Sequence, residues 1–274
     1  MKNGPVRSSR AKSGPVKSGV LRPRLTTVIG ALAVVSIAAT VWLGLWVTPP
    51  DKVQGNLVRL VYIHPPVAWV ALYLAFGLAA LSSLLYLWKR TRSLFWDRLA
   101  AASVEVGVVF NALTLVSGSI WGRPTWGVWW TWDARLTSTA LLLVLFVGYM
   151  ALRRVPADPE IRARRCAVAA LVAFVDVPIV HFSVVWWHTL HQNATVLNPN
   201  LTPTIHGSMA WTLLLGFVAF TLLFVWMVVR LYQVQLLKDR IGDRELAISL
   251  GERWAESDLG TPVHAEGAPA GRER

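Results

Sequence analysis

Histidines that could bind a metal lie in two widely separated segments of this sequence. His64 directly precedes Pro65 and Pro66, while His188 and His191 follow a pair of tryptophans much later in the chain. A neutral imidazole is a common metal ligand, and two imidazoles can hold a haem iron from both faces. The i, i+3 spacing of His188 and His191 also suits a different metal or none, so the residues alone leave this choice open.

The segment 119–138, between the two histidine motifs, carries a dense aromatic surface. Gly122, Pro124 and Gly127 interrupt regular structure there, so the pattern predicts a non-helical loop. With the acid Asp133, such a loop suits a platform for a flat apolar ligand, although an aromatic belt at a membrane boundary is the alternative. Five of the fifteen tryptophans lie in this segment, namely Trp121, Trp126, Trp129, Trp130 and Trp132.

The composition is that of a protein that crosses a membrane several times. Of 274 residues, 54% are hydrophobic and 15% are charged. The net charge of +12 lies in short basic blocks between apolar runs, which is typical of a topology signal rather than a nucleic-acid site. The single cysteine, Cys166, excludes an intrachain disulfide, and the sequence has no Cys-x-x-Cys-His haem attachment site and no phosphate-binding loop.

Six apolar runs are long enough to cross a bilayer, which takes about 20 residues each. The predicted transmembrane helices are 25–47, 65–88, 99–120, 133–152, 166–185 and 208–231. The first run exceeds the core of about 7–15 residues of a cleaved signal peptide, the competing interpretation, and so predicts an uncleaved helix. A short interfacial helix is predicted from Leu57 to His64. Asp133 is predicted to cap the fourth helix by accepting from the backbone of Arg135 or Leu136.

An even number of crossings places both termini on one side of the membrane. Of the 27 Lys and Arg residues, 23 lie in the two tails and the two loops on that side, which predicts that both termini are cytoplasmic. The sequence therefore predicts an all-α integral membrane protein with six transmembrane helices. Its expected parts are a disordered basic tail (1–24), a transmembrane domain (25–231) and a cytoplasmic C-terminal tail (232–274).

This topology brings the two histidine motifs and the tryptophan segment to the outer face. Haem would suit such a surface, because tryptophans can cover its macrocycle and arginines can bind its two carboxylates. The candidate carboxylate partners on this face are Arg59, Arg123 and Arg135. Each residue alone has an ordinary explanation, such as a solvated histidine or an arginine on lipid phosphate, and the residues alone do not separate haem from a quinone.

Three motifs resemble those of one known family. The run WGRPTWGVWWTWDARLTS at 121–138 is similar to the tryptophan-rich WWD signature of the haem-handling proteins of cytochrome c maturation. The runs YIHPPVAW at 62–69 and WWHTLHQ at 186–192 resemble the two histidine motifs of the haem exporter protein C family, CcmC. The resemblance covers all six predicted helices and leaves out the two tails.

The resemblance implies a protein of the bacterial inner membrane that presents haem on the periplasmic face. The haem would be haem b, held non-covalently and transiently, and would be delivered to the haem chaperone CcmE. The implied partners in the bilayer are the ABC transporter subunits CcmA and CcmB and the small protein CcmD, and no enzyme activity is implied. Carried over by motif, the axial ligands are His64 and His191, with His188 as the alternative to His191.

Two other functions are alternatives to this one. A membrane redox subunit working with haem or quinone would usually hold haem on histidines deep inside helices, and only His181 is so placed. A channel subunit of an ABC transporter would bind no haem. Two acids inside apolar runs, Glu105 and Asp176, predict either hydrogen-bonded helix contacts or a docking site for the transporter partner.

Overall fold

The computed structural model of the protein describes residues 23–187, 189–191 and 205–259, and the regular elements in these ranges are all helical. The α-helices are α1 Pro23–Trp42, α2 His64–Trp69, α3 Phe76–Leu87, α4 Leu94–Trp126, α5 Ala134–Arg154, α6 Pro159–Phe174, α7 Asp176–Trp186 and α8 Gly207–Leu259. The remaining elements are a 3-10 helix, Asn56–Tyr62, and two π-helical stretches, Leu43–Val47 and Val70–Ala75.

Six helical stretches in the described part of the chain are long and apolar enough to cross a membrane, which confirms the predicted all-α, six-helix architecture. They are Arg24–Val47, Asn56–Leu87, Leu94–Trp126, Ala134–Arg154, Pro159–Trp186 and Gly207–Trp254. Consecutive crossings run in opposite directions, so their connections alternate between two ends. We call the end with 48–55, 127–133 and 187–191 the motif end, and the end with 88–93 and 155–158 the basic end.

Apolar packing joins helices that are far apart in sequence. Phe76 on α3 and Phe146 on α5 stack with 3.8 Å between ring centroids. A second cluster joins Val70 of the π-helical stretch to Phe110 on α4 and Phe224 on α8. Lipid tails are as apolar as these side chains, so close fit between helices, rather than removal from water, holds them together within a bilayer.

The tryptophan segment is a loop only in its middle: the helix before it does not end at Ile120 as predicted, whereas the predicted start of the next helix at Asp133 is confirmed. Helix α4 continues to Trp126 and carries Pro124 in its last turn. It ends at Gly127, which has a left-handed φ of 81° and donates its N–H to the Arg123 carbonyl. Glycine at this position is a common helix stop, because the left-handed conformation costs it little. The non-helical part is therefore 127–133.

Asp133 caps α5, as predicted. Its Oδ1 accepts a hydrogen bond of 2.8 Å from the backbone N–H of Leu136, and its Oδ2 accepts from the Thr131 hydroxyl at 3.3 Å. An aspartate at this position satisfies a helix N–H that has no partner within the helix. The loop 127–133 is thus bounded by a helix stop at one end and a helix start at the other.

The predicted fifth helix differs from the structure in two ways. It begins earlier than predicted, at Pro159, because proline suits the first helical position, where its missing N–H has no helical partner to lose. It is also broken at Val175, between α6 and α7. Pro178 explains the break, since it has no N–H to donate to the Phe174 carbonyl.

Two further helices are longer than predicted. Helix α4 begins after Ser93, whose hydroxyl accepts from the Phe95 N–H at 3.2 Å. Helix α8 continues to Leu259 instead of ending near residue 231, so most of the predicted C-terminal tail is helical. Almost all of the predicted N-terminal tail lies outside the described residues, as does the segment 260–274.

The two acids inside the apolar runs have different surroundings. Glu105 on α4 accepts from the Gln235 side chain on α8 at 3.3 Å, which fits the helix-contact interpretation. Asp176 opens α7 and is 6% exposed, and its Oδ2 has no hydrogen-bond partner among the described residues. Docking of a partner at Asp176 stays a prediction.

Candidate functional site

A cavity of about 540 Å³ opens at the motif end of the bundle. This volume lies within the range of roughly 300–1,000 Å³ that is common for small-molecule sites. Its walls come from the 3-10 helix, α2, the Val70–Ala75 stretch, α4, α5, α7 and α8, together with Gln54 and His191 from the connections. They are mainly apolar, with aromatic contributions from Trp69, Trp121, Trp126 and Phe217. The cavity therefore suits a large apolar ligand with a few polar groups.

His64 and His191 lie in this cavity together, although 126 residues separate them in the sequence. Their ring centroids are 6.4 Å apart, with 37° between the ring planes. Metal–nitrogen bonds to imidazole are about 2.0–2.1 Å, so two imidazoles on one metal ion would have centroids roughly 6 Å apart. The separation of the two rings therefore fits one metal ion held between them.

The local fold explains how His64 reaches the cavity. It is the first residue of α2, and the two prolines that follow it occupy the first turn, where they are tolerated. Its Nδ1 lies 2.9 Å from the Ser117 hydroxyl on α4. The Trp121 indole meets the imidazole edge-on, with 5.9 Å between centroids.

Two of the five predicted platform tryptophans, Trp121 and Trp126, line the cavity. Trp126 lies 5.9 Å from His191 between ring centroids, and Trp121 donates its indole N–H to the Gln54 side chain at 3.0 Å. These two residues are on the helical part of the segment, each beside one of the two histidines.

The other three, Trp129, Trp130 and Trp132, lie on the loop and are not among the described residues that line the cavity. Trp129 is 59% exposed and Trp132 is 82% exposed, while Trp130 meets Trp132 edge-on at 5.5 Å. Their predicted role in a platform for the ligand stays a prediction. Their exposure makes the loop an apolar surface next to the cavity.

The three candidate carboxylate partners are placed differently. Arg135 lines the cavity and forms no salt bridge with any described residue. Arg123 is exposed and donates to the Gly127 carbonyl at 2.6 Å, so it supports the end of its own helix. Arg59 lies on the 3-10 helix and is not among the described residues that line the cavity. Of the three, Arg135 is the cation that a ligand in the cavity can meet.

Several polar residues of this region were missed by sequence reasoning. Tyr73 lines the cavity, and its hydroxyl lies 2.5 Å from Nδ1 of His181 on α7. Gln54 and Ser117 also border the site through their hydrogen bonds to Trp121 and His64. Ser117 lies four residues before Trp121, so a helix that continues beyond Ile120 places both side chains on the same face. This spacing is the signal that could have identified Ser117.

The remaining histidines do not join the pair. His206 precedes α8, is exposed, and is not among the described residues that line the cavity. His188 and His264 lie outside the described residues. In the described part of the chain, no group of three or more His, Cys, Asp or Glu side chains could hold a metal ion. Two histidines alone suit a metal that brings other ligands with it, as haem iron does.

A family model described as heme exporter protein C matches residues 11–247. The chain belongs to the CcmC family. Heme exporter protein C of Bradyrhizobium diazoefficiens is 36% identical over 253 residues, covering 90% of this chain and 92% of its own. The same protein of Escherichia coli K12 is 36% identical over 200 residues, covering 70% and 80%.

The CcmC family also extends to plant sequences. A putative cytochrome c biosynthesis ccmC-like mitochondrial protein of Marchantia polymorpha is 34% identical to this chain over 183 residues, covering 67% of this chain and 75% of its own. Membership of the CcmC family, together with the six spans, makes the protein a multi-pass membrane component of cytochrome c biogenesis that handles haem.

Proposed function

We propose that this protein binds haem b non-covalently in the cavity at the motif end and delivers it to the haem chaperone CcmE. The observation that carries the proposal is the His64–His191 pair, which lies in one cavity at a separation that suits a single metal ion. His64 and His191 are the proposed axial ligands. Bound haem would supply an iron with four in-plane nitrogens, so two imidazoles would complete six-coordination and leave no open position.

The proposed contacts beyond the iron follow from the lining residues. Trp121 and Trp126 cover the apolar macrocycle next to the two ligands. Arg135 binds a propionate, because a cation without a salt bridge in an apolar wall favours an anionic ligand. Asp133 orients this region by capping the helix that carries Arg135. Arg59 and Arg123 have less support for this role, since neither lines the cavity.

The proposed setting is the bacterial inner membrane, with the motif end facing the periplasm. The support is the concentration of Lys and Arg in the tails and in the loops of the basic end, which is typical of cytoplasmic segments. The exposed loop tryptophans Trp129 and Trp132 would then lie beside the cavity, where a chaperone must approach. CcmA, CcmB and CcmD are the proposed partners in the bilayer.

The test is the absorption spectrum of purified protein supplied with haem. Wild type should show a six-coordinate, low-spin spectrum, because both axial positions are filled by imidazole. His64→Ala and His191→Ala should each give a five-coordinate or water-ligated, more weakly held haem, and both should fail to load CcmE. His206→Ala is the matched control and should resemble wild type.

The same experiment separates the two candidate ligands of the second motif. His188→Ala should keep the low-spin spectrum and the ability to load CcmE. A low-spin spectrum that persists in His191→Ala but is lost in His188→Ala would move the ligand three residues back. Protein that binds no haem at all under these conditions would overturn the proposed function.

A further inference from the structure

The His64 ring is held in place by two consecutive residues of α4. The Ser117 hydroxyl lies 2.9 Å from Nδ1 of His64. Gly118 lies against the Cε1 edge of the ring, since a Cβ there would be only 3.0 Å from Cε1 of His64. A side chain at Gly118 would therefore require the ring to move by a few tenths of an ångström. Together these residues form a seat that fixes both the position and the hydrogen bonding of the imidazole.

The hydrogen bonds of Ser117 indicate which imidazole nitrogen carries the proton. The Ser117 hydroxyl lies 2.7 Å from the Leu113 carbonyl, and it has only one proton to donate. If it donates to Leu113, the hydroxyl oxygen can accept from an Nδ1–H of His64, and two hydrogen bonds form. If it donates to Nδ1 instead, one forms and Nε2 carries a proton in an apolar cavity. The first arrangement is favoured because it satisfies more polar groups.

We propose that Ser117 is a positioning residue for His64, which selects the tautomer with the proton on Nδ1 and leaves the lone pair of Nε2 for the metal. This inference rests on the proposed function, in which His64 ligates the haem iron. A hydrogen-bond acceptor on the second nitrogen orients the ring and makes the imidazole a stronger donor to the metal. The removal of such a partner typically weakens metal binding about 10–100-fold.

The first test compares variants of Ser117 in the full-length protein loaded with iron protoporphyrin IX. Ser117→Ala should release haem about 10–100-fold more readily than wild type and raise its midpoint potential, because the weaker donor stabilises ferric iron less. Ser117→Thr keeps the hydroxyl and should restore both values. Gly118→Ala should also weaken retention, since it displaces the ring.

The matched control is Ser83→Ala on α3. Ser83 is buried and donates to the Ala79 carbonyl at 2.7 Å, the same bond that Ser117 makes to its own helix, but it lies outside the lining of the cavity. Its replacement should leave haem retention and potential as in wild type. A shift in Ser83→Ala as large as in Ser117→Ala would overturn the inference, because it would indicate a general effect of removing a buried hydroxyl.

The second test needs no haem. Nitrogen-15 NMR of histidine-labelled protein distinguishes the two tautomers, and His64→Ala identifies the signal. Wild type should carry the proton of His64 on Nδ1, and Ser117→Ala should shift the population towards Nε2. A wild-type proton on Nε2 would overturn the inference, and this measurement holds even if Ser117→Ala does not fold.

The failure of this inference is distinct from failure of the proposed function. If Ser117→Ala keeps wild-type retention and potential while His64→Ala loses the low-spin spectrum, ligation by His64 stands and the role of Ser117 is refuted. If His64→Ala keeps the low-spin spectrum, ligation by His64 fails and the role of Ser117 fails with it.

Discussion

The two ends of the bundle differ in whether a partly buried arginine has a carboxylate partner. At the basic end, Asp97 is 4% exposed and accepts two hydrogen bonds from Arg153, at 2.6 and 2.8 Å. Arg98 meets Asp239 at 2.7 Å in the same region. Cations and acids there satisfy one another between α4, α5 and α8. These two ion pairs are structural, because each of them joins two helices.

At the motif end, Arg135 has no such partner among the described residues. Arg135 lines the cavity without a salt bridge to any described residue, and the nearby acid Asp133 is engaged at the start of α5. An unpaired cation in an apolar wall is costly unless a ligand supplies the opposite charge. The two arginines thus differ in their surroundings: Arg153 is paired with a carboxylate on another helix, whereas Arg135 faces a cavity.

Removal of the buried ion pair between Asp97 and Arg153 should cause the greatest loss of stability. Asp97→Ala leaves the guanidinium of Arg153 buried without its partner, which should destabilise the protein by about 3–5 kcal/mol. Thermal unfolding in detergent measures this. The double variant Asp97→Leu, Arg153→Met should recover most of the loss, because no charge is then left unpaired. Normal stability in Asp97→Ala would contradict the structural assignment of this end.

Unlike Asp97→Ala, Arg135→Leu should reduce haem retention and leave the stability of the protein nearly unchanged. A hydrogen bond to a charged group contributes about 1.5–3 kcal/mol, so retention should fall roughly 10–100-fold. Haem with esterified propionates should bind wild type and Arg135→Leu equally, since it has no carboxylate to lose. The control is the exposed Arg123→Leu, and equal losses in both variants would refute the special place of Arg135.

Within the motif end, the tryptophans that line the cavity should matter more for haem retention than those on the loop. Trp121→Ala and Trp126→Ala should each reduce haem retention about ten-fold or more, because each removes an aromatic contact beside a ligand histidine. Dissociation of haem into an excess of a competing haem-binding protein measures this. The double variant Trp129→Ala, Trp130→Ala should have the smaller effect. If that variant loses more haem than the first two, the loop covers the ligand after all.

The smallest expected effect concerns the cap of α5. Asp133→Ala should cost about 1 kcal/mol of stability, whereas Asp133→Asn should cost little, because Asn and Asp cap helices about equally well. Unfolding in detergent compares the two. If Asp133→Asn is stable and binds haem but fails to load CcmE, the charge of Asp133 serves the partner rather than the helix.

Much of the fold follows from the sequence, because the signals are local. Six apolar runs predict six crossings, and Asp133 with Leu136 is a recognisable helix start. The end of α4 differs from the prediction for a reason that is also local. Pro124 predicts a break, yet a proline in the last turn removes only one backbone hydrogen bond from a long helix. The effective stop is Gly127, three residues later, with Arg123 bonded to it.

The candidate site was only partly predictable. Histidines and tryptophans were identified by type, but which of them share a cavity depends on how the helices are rotated against one another. Trp126 and Arg135 line the cavity, whereas Arg123 does not, and Trp129 lies beyond the helix stop at Gly127. The seat of His64 on Ser117 and Gly118 depends on contacts between α2 and α4, which no spacing within one segment reveals.

Helix α8 extends much further beyond the cavity at its C-terminal end than at its N-terminal end. It lines the cavity at Leu213 and Phe217, then continues to Leu259 without a proline. At 1.5 Å per residue the stretch after Phe217 is roughly 60 Å long, about twice the thickness of a hydrocarbon core. The start of the helix thus forms one wall of the cavity, and the helix is long enough to extend beyond the far side of a bilayer. A partner bound to the tip would be in one continuous piece of structure with that wall.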